Sequence, residues 1–545
     1  MSYSEAAAAI VAQIEAIPEW AQVRARHAQT DLDTATLTQI IGAAGDLAHD
    51  VLAPFNRTGD AAGCRLVDGR VQLAPGHHAA WQAYREGGWT TIDAPAAHGG
   101  AGLPVTVHAA CEELVNRAAP AFGMLPTPMR CATMVLMRYA AAAIVDEWVP
   151  RLVDGSWAAT ICISEPDAGS DVGRVRTMAT PQDDGTWRVT GEKIWISFGD
   201  HDLAPRIGHM VLARTPGGAP GTAGLSLFLV PSDQDGRRNG VVVRRIEEKL
   251  GLHASPTCAL GFEDAHALLV GTEGRGLPQL FAMIVGMRLS VGSQGAGIAG
   301  AAADLAAHYA TERHQGGKPD RPAVPIASHP DVRRMLQASA ARAEVARGLV
   351  LTASVLSDLQ DDDLDAAALV AWLLPITKTF CAEAASLCAD QAIQVLGGAG
   401  YTREWPAEQY LRDARVLAIY EGTSGMQALD LVMRRVLGDE ARPLRAFLTR
   451  ARHDARVGDG TALATMLDRL ERAAASLDRT SAQTVAYPFL QLGALATTAW
   501  IATRLLRHCA DLKVARNARH WLKLATIQSA AEADLVALGE DLLTQ

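Results

Sequence analysis

The chain has 545 residues, of which 50 are Lys or Arg and 60 are Asp or Glu, so its formal net charge is −10 at pH 7. Apolar residues make up 49% of it and charged residues 20%, which is typical of a globular chain. An acidic chain lacks the basic field that non-specific nucleic-acid binding requires, so we expect no nucleic-acid partner. At roughly 100–200 residues per domain, the length predicts about three or four domains.

No targeting or membrane-spanning segment is predicted. The first stretch has no basic region before an apolar core, and Glu5, Glu15 and Glu19 interrupt it. No uninterrupted run of about 18 apolar residues occurs in the sequence. The eight cysteines are dispersed, without CxxC spacing or paired histidine ligands, so we expect free thiols and no metal centre. These observations favour a cytoplasmic protein with no membrane partner.

Residues 1–157 are predicted to form an N-terminal helical domain. Apolar residues recur at helical spacing at Ala6, Ile10, Ile14 and Ile17, and a second such stretch begins at Leu37. A region rich in glycine and proline turns then follows and is predicted to be largely loop.

Residues 158–275 are predicted to form a middle β domain, because short runs of β-branched residues alternate there with turns. The predicted strands are 187–190, 193–197, 209–213, 225–230, 241–246 and 258–262. No long helix intervenes between them, which favours an antiparallel sheet or a small barrel over a parallel sheet.

The helical period returns after the β region. Residues 276–438 are predicted to form a helical bundle and residues 439–545 an additional C-terminal helical domain. The predicted helices are 279–314, 330–358, 364–396, 422–437, 461–478, 482–512 and 516–542. The helix at 364–396 is apolar nearly all round, which indicates burial inside the bundle. The predicted fold class is therefore multidomain α+β.

One glycine motif resembles a nucleotide-binding fingerprint. Residues Gly295–Gly300 fit GxGxxG, but that fingerprint needs a strand before it, and here the flanking residues are helical in pattern. We interpret the glycines as sites of close helix packing. Neither a GxxxxGK[ST] loop nor a GxSxG elbow is present, so the usual signals of P-loop hydrolysis and α/β-hydrolase chemistry are missing.

Three other segments combine polar groups with apolar surroundings. Ile161–Asp171 places a hydroxyl, a carboxylate and a glycine turn at the entrance to the β region. Gly191–Ser197 is a strand whose aromatic and hydroxyl groups suit a flat heterocycle. Ile419–Gln427 holds a carboxylate just before a helix capped by a threonine or serine. Taken singly, each segment could be an ordinary turn or cap.

Together and in this order, the three segments resemble the acyl-CoA dehydrogenase family. Four further segments match in family order: Arg288–Gly295, Tyr309–Gln315, Gln394–Thr402 and Arg412–Arg415. The resemblance covers about residues 35–437 and implies an N-terminal helical domain, a middle β domain and a C-terminal four-helix domain. Within the family the chain looks closest to a longer subgroup that adds a C-terminal helical domain and includes 3-methylmercaptopropionyl-CoA dehydrogenases.

The resemblance implies an FAD-dependent enzyme that converts an acyl-CoA thioester to the trans-2-enoyl-CoA. In the family reaction a glutamate removes the α-proton, and the β-hydrogen passes as a hydride to flavin N5. Glu421 matches that glutamate, and an apolar pocket should raise its pKa toward the working range of a general base. The alternative interpretation is that Glu421 is an ordinary carboxylate at a helix start, where the helix dipole favours its negative charge.

The same resemblance implies the remaining site residues. Ser164 and Ser197 should hydrogen-bond the flavin ring, and Ile161, Ile163, Trp195 and Ile196 should pack against it. The positions that hold the FAD pyrophosphate and adenosine end are matched by Arg313, His314, Gln315, Gln394, Gly397, Gly398 and Thr423. Ser170 and Arg288 are candidates for acyl-CoA contact, with turn and cap roles as their alternatives.

The implied partners are the acyl-CoA substrate, an electron-transfer flavoprotein or similar acceptor, and a second copy of the chain, since family members complete their FAD contacts with a neighbouring subunit. We expect a homodimer that acts in fatty acid metabolism. Two other functions use the same fold: a flavoprotein that protects DNA or oxidises another substrate, and a catalytically inactive scaffold. Glu421 and the lack of a basic C-terminal block favour the dehydrogenase.

Overall fold

The computed structural model describes residues 2–27, 30, 32–234, 236–456, 460–480 and 482–543, without the side chains of Thr91, Ile284 and Val285. The helices are α1 (Tyr3–Glu15), α2 (Trp20–Arg26), α3 (Thr34–Leu47), α4 (Ala53–Ala62), α5 (His77–Glu86), α6 (Val105–Ala118), α7 (Pro120–Gly123), α8 (Pro126–Tyr139), α9 (Ala142–Val153), α10 (Gly276–Glu312), α11 (Pro330–Leu359), α12 (Leu364–Leu396), α13 (Ala407–Arg415), α14 (Ser424–Asp430), α15 (Arg442–Ala455), α16 (Thr461–Ser476), α17 (Ala482–His508) and α18 (Leu512–Ala537). The strands are β1 (Arg65–Val67), β2 (Arg70–Gln72), β3 (Ala158–Cys162), β4 (Met178–Pro181), β5 (Trp187–Ser197), β6 (Ile207–Arg214), β7 (Leu225–Pro231), β8 (Asp233–Gln234), β9 (Arg237–Arg238), β10 (Val241–Ile246) and β11 (Thr257–Val270).

These elements form two compact units. We call Met1–Ala48, Pro104–Ala118 and Arg288–Gln545 the helical unit, and His49–Leu103 and Ala119–Met287 the β unit. The predicted α+β fold class, with helical regions around a β region and further C-terminal helices, is confirmed.

A largely antiparallel sheet forms the centre of the β unit. Among the described residues it has seven strands in the order β10-β11-β5-β4-β6-β3, and β7 pairs with both β11 and β6. The path β11-β5-β4-β6-β7 therefore returns to β11, which is the closure of a small barrel. The pairing of β3 with β6 is parallel and departs from the predicted antiparallel pattern.

Two predictions about local structure in the β unit were wrong. The runs 187–190 and 193–197 form one continuous strand, β5, because β11 pairs along its whole length. The glycine-rich region before residue 100 is not mainly loop, since it contains α4 and α5. Those helices form because Phe55, Trp81 and Tyr84 become buried, and burial of aromatic side chains stabilises short helices that propensity alone would not.

The additional C-terminal helices pack against the rest of the helical unit. Trp372 of α12 stacks on Phe447 of α15 with ring centroids 5.2 Å apart, and Trp500 of α17 meets Phe447 edge-on. Glu19, next to α2, forms ion pairs with Arg450 and Arg504. Apolar stacking, the part-buried pair of Glu19 with Arg450 and its buried pair with Arg504 thus hold α15 and α17 on this unit.

The glycine motif in α10 serves helix packing, as predicted. A Cβ atom on Gly295 would lie 2.4 Å from the carbonyl oxygen of Cys381, and one on Gly297 would lie 2.5 Å from that of Glu113. Contacts this short leave no room for a side chain, so the helices approach only because glycine stands there.

Two helical stretches, Leu364–Tyr401 and Ala482–His508, are long and apolar enough to cross a membrane by length and composition. Their most apolar windows are 78% and 89% buried inside the protein, which is the property of a core helix. The eight cysteines are free, and Cys64 and Cys509 are the two that are partly exposed.

Candidate active site

Glu421 lies in a strained backbone segment of the helical unit. Its φ is 53°, in the left-handed region that residues other than glycine avoid, and Gly422 follows with φ 85°. Such a conformation costs about 1–3 kcal/mol and persists only when neighbouring groups fix it. Here Gln427 donates from Nε2 to the Glu421 carbonyl oxygen at 3.0 Å, and Lys378 donates from Nζ to that of Gly422 at 2.7 Å.

The charges around Glu421 set its basicity. Burial raises the pKa of Glu421 above its ordinary value, while the positive charges of Lys378 and Arg288 limit that rise. Burial is the main reason that the pKa of Lys378 falls to about 8; Glu421 opposes this fall and Arg288 contributes to it. Arg288 itself pairs with Asp430 at 2.9 Å. The site therefore holds a carboxylate whose neutral form is accessible, which a proton acceptor needs.

The helix that follows Glu421 has its own cap. Thr423 is the N-cap of α14, and its Oγ1 accepts a hydrogen bond from the Met426 amide at 3.2 Å. Ser424, the first residue of α14, donates to Glu383 Oε1 at 3.1 Å. Directly before Glu421 in the chain, Tyr420 donates from its hydroxyl to Gln294 Oε1. The predicted helix over 422–437 thus begins at Ser424 and continues to Asp430, followed by a π-helical turn.

In the β unit, the two predicted flavin segments are joined side by side. Ile194 donates from its amide to the Ser164 carbonyl oxygen at 2.9 Å. Lys193 donates from Nζ to the Ile163 carbonyl oxygen at 2.9 Å and to Glu165 Oε1 at 2.8 Å. Backbone and side-chain bonds therefore place Ser164 beside the strand that carries Trp195.

Trp195 projects from a bulge in β5. Leu260 of β11 pairs with Lys193, and Cys258 pairs with Ile196. Ile194 and Trp195 together therefore oppose the single residue that lies between Cys258 and Leu260. A bulge of this kind re-aims a side chain. Trp195 has φ 65° and a side chain that is 59% exposed, which is unusual for so large an apolar group.

The other predicted ring contacts differ in their surroundings. Ile161 and Ile163 are partly buried against the apolar cluster that includes helices α8 and α9. Ile196 is only 2% exposed and belongs to the barrel core, so its side chain packs inside the barrel. Ser164 and Ser197 are partly buried, and Ser170 is exposed.

The residues predicted for the FAD pyrophosphate lie at helix ends of the helical unit. Arg313, His314 and Gln315 follow α10 and are exposed, and the Arg313 side chain forms no ion pair within the described residues. Gln394 is exposed near the end of α12, and Gly397 leaves that helix with φ 63°. A Cβ atom on Gly397 or Gly398 would meet nothing within 4 Å, so the surface there is open to a ligand.

Sequence reasoning missed Lys378 and Glu383, and gave Glu165 and Lys193 no role. Lysine is almost never fully buried unless it is paired. Lys378 stands in the most apolar predicted helix and is fully buried, as is Lys193 in its strand. A lysine inside an otherwise apolar helix is therefore the signal that could have identified Lys378.

Comparisons with known proteins cover most of the chain. Models of the N-terminal, middle and C-terminal domains of acyl-CoA dehydrogenase match residues 34–156, 160–265 and 274–437. A 3-methylmercaptopropionyl-CoA dehydrogenase of Ruegeria pomeroyi is 39% identical over 82% of this chain and 78% of its own length. A butyryl-CoA dehydrogenase of Syntrophomonas wolfei is 32% identical over 74% of this chain and 70% of its own length. The fold matches that of an acyl-CoA dehydrogenase from Bacillus anthracis complexed with FAD, with a TM-score of 0.78, 21% identity, and coverage of 93% and 89% of the two chains.

Proposed function

Because the chain belongs to the acyl-CoA dehydrogenase family, we propose that it oxidises an acyl-CoA thioester to the trans-2-enoyl-CoA with FAD as cofactor and Glu421 as the base. The observation that carries the assignment is the environment of Glu421. Its backbone is held in a strained conformation by two hydrogen bonds, and burial raises its pKa. Strain and a perturbed carboxyl together are typical of a functional group rather than of a helix start.

The β unit fits the ring of a flavin. The hydroxyls of Ser164 and Ser197 form no hydrogen bond within the described residues, so both can donate to a ligand. Trp195 beside them offers an exposed aromatic face. Two free donors and an aromatic surface suit a flat heterocycle with polar edges.

The helical unit fits the diphosphate part of the cofactor. The Arg313 guanidinium has no ion-pair partner in the part of the chain that the structure describes, and arginine binds phosphate oxygens through paired donors. The open backbone at Gly397 and Gly398 allows close approach of a ligand. We assign Gln394, His314, Gln315 and Thr423 to the same ligand.

The proposed mechanism assigns proton removal to Glu421. Its carboxylate takes the α-proton of the thioester, and the neutral acid that results is favoured by burial. The positive charges of Lys378 and Arg288 favour the ionised form of Glu421, which is the form that takes the proton. Bound FAD supplies the acceptor for the hydride that leaves the β-carbon. Ser170 is proposed to contact the acyl-CoA, and an electron-transfer flavoprotein to receive the electrons.

The test is anaerobic reduction of the bound flavin by acyl-CoAs, followed by its visible absorbance. Butyryl-CoA and 3-methylmercaptopropionyl-CoA are the first two substrates, because they give the matched relatives their names. Glu421→Gln should retain FAD and bind acyl-CoA but lose flavin reduction by at least about 10²–10⁴-fold, since only the proton acceptor is removed. Glu540→Gln, which changes an exposed carboxylate, is the matched control.

Reduction of the Glu421→Gln flavin at the parent rate would contradict the assignment of the base. A parent protein that purifies without flavin, or whose flavin no acyl-CoA reduces, would contradict the proposed reaction.

A further inference from the structure

Glu383 connects the catalytic segment to the additional C-terminal helices. It lies on α12, and its carboxylate accepts hydrogen bonds from α14 and from α17. Ser424 at the start of α14 donates to Oε1 at 3.1 Å. From α17, Tyr487 donates from its hydroxyl to Oε1 at 2.9 Å, and Gln491 donates from Nε2 to Oε2 at 2.7 Å.

The two donors of α17 stand one turn apart on the same face. Residues four apart on a helix are neighbours, so Tyr487 and Gln491 present their polar groups together. α17 is fixed along α12 a little further on, where Trp372 donates from Nε1 to Thr497 Oγ1 at 3.1 Å. A Cβ atom on Gly493 would lie 3.4 Å from the Trp372 ring, which is van der Waals contact distance, so the two helices are closely packed here. Tyr487 and Gln491 are therefore held at Glu383 by the packing of a whole helix.

The same helix, α12, contacts the Glu421 segment at two points. Lys378 binds the carbonyl oxygen of Gly422, and Glu383 binds the hydroxyl of Ser424. These two bonds flank Thr423, the N-cap of α14. A shift of the Glu383 carboxylate would move the start of α14, and Glu421 precedes that start by three residues in a strained conformation.

We propose that Tyr487 and Gln491 of the C-terminal helices are positioning residues for the catalytic base, acting through Glu383 and Ser424. This inference rests on the proposed role of Glu421. It assigns to residues 439–545 a part in the reaction, beyond covering apolar surface. A catalytic group displaced by about 1 Å can lose about 10²-fold in rate, so a modest displacement is measurable.

The first experiment compares the holoenzyme with the double variant Tyr487→Phe/Gln491→Leu, which removes both donors while keeping the side-chain volumes similar. We expect flavin reduction by butyryl-CoA to slow by about tenfold or more, with FAD content and the KM for acyl-CoA unchanged. Gln483→Leu, on an exposed position of the same helix, is the matched control and should behave as the parent. A double variant that reduces its flavin at the parent rate overturns the proposal.

The second experiment tests whether the effect of α17 passes through Ser424. In the Ser424→Ala background the Tyr487→Phe and Gln491→Leu changes should have no further effect, because the hydrogen bond between Ser424 and Glu383 is already absent. Effects that simply multiply in the combined variant overturn the proposal, since α17 would then act by another path.

The third readout does not need activity. Hydrogen exchange of the amides in 422–427 should quicken in the double variant and stay at the parent rate in Gln483→Leu. Unchanged exchange overturns the positioning role even if the enzyme is active. If the parent flavin is not reduced by any acyl-CoA, the proposed function fails, and the exchange experiment still decides whether α17 orders this segment.

Discussion

Lys193 Nζ lies 2.8 Å from Glu165 Oε1, and this buried ion pair joins the two segments of the β unit that carry Ser164 and Trp195. Both carboxylate oxygens of Glu165 are occupied, because the amides of Arg176 and Thr177 also donate to it. Lys193 in turn reaches the carbonyl oxygen of Ile163. The pair therefore fixes the backbone on which the proposed flavin contacts stand.

Lys193→Met should destabilise the protein strongly. The substitution leaves the buried carboxylate of Glu165 without its counter-ion, and breaking a buried pair in this way costs about 3–5 kcal/mol. Denaturant unfolding measures the change. Glu192→Gln, next to it on the same strand, breaks an exposed pair with Arg244 and should change stability by about 1 kcal/mol or less. Equal losses of unfolding free energy in the two variants would show that the buried pair contributes no more to stability than the exposed one.

Lys378→Met should move the pH dependence of flavin reduction. The positive charge of Lys378 opposes the rise in the pKa of Glu421, so its removal raises that pKa further. As the proposed base, Glu421 must be ionised to take a proton, so the rate should fall as pH drops through its pKa. We therefore expect the acid limb of the single-turnover profile to move to higher pH. Lys513→Met removes an exposed charge and should leave the profile in place.

Arg313→Ala should weaken FAD retention. The variant loses a charge-assisted bond to a phosphate oxygen, and such a bond contributes about 1.5–3 kcal/mol, or roughly 10–150-fold in Kd. Fluorescence titration of the apoprotein with FAD measures it. Arg516→Ala, on an exposed position of α18, is the control. If both variants hold FAD as tightly as the parent, Arg313 does not contact the cofactor.

His77→Phe should reduce the acid sensitivity of the fold. His77 is fully buried among Phe55, Phe122 and Phe198, and neither of its ring nitrogens has a hydrogen-bond partner among the described residues. Burial lowers the pKa of His77 to about 3. Below about pH 6.5 the His77 ring therefore binds a proton in the unfolded chain but not in the folded protein. Stability falls as pH drops from there toward 3, by about 1.4 kcal/mol per pH unit for this group.

Unfolding free energies of the parent and His77→Phe at pH 7 and pH 5 test this prediction. The variant should lose less stability between the two values. His209, whose pKa burial also lowers to about 3, and His201, whose pKa it lowers to about 4, stay in the variant, so part of the dependence should remain. An identical pH dependence in both proteins would falsify the role of His77.

The sequence predicted the long helices well and the site only in part. The helix expected at 364–396 is Leu364–Leu396 and that at 330–358 is Pro330–Leu359, because a sustained apolar pattern fixes a long helix locally. The strand expected at 258–262 extends to Val270, since Ala265–Ala267 still pair with β5 and Leu268–Val270 pair with a further strand, β7. That pairing is a tertiary event which local alternation does not encode.

The groups around Glu421 that the sequence did not reveal come from distant parts of the chain. Glu421 stands in a compact segment with a cap and a glycine, and the resemblance of that segment to the family motif pointed to it. Lys378 reaches that segment from another helix, and Glu383 gains its partners from a third. Contacts between distant parts of the chain depend on the packed fold, and a single sequence shows only the residue types that such contacts use.

Removal of the C-terminal helices should unfold the helical unit or make it aggregate. A stop after Gly438 exposes the faces of α12 that Phe447 and α17 cover, and it leaves Glu19 without Arg450 and Arg504. Exposing apolar surface costs about 25 cal/mol for each Å², and the sum over several large side chains exceeds the stability of a typical domain. Solubility and thermal unfolding measure the effect, and a truncated protein as soluble and as stable as the parent would contradict the packing argument.

For the intact chain we expect a homodimer, because α15–α18 occupy surface that a shorter chain would leave free for further contacts. Light scattering on the parent measures the oligomer, and a tetrameric parent would contradict the dimer.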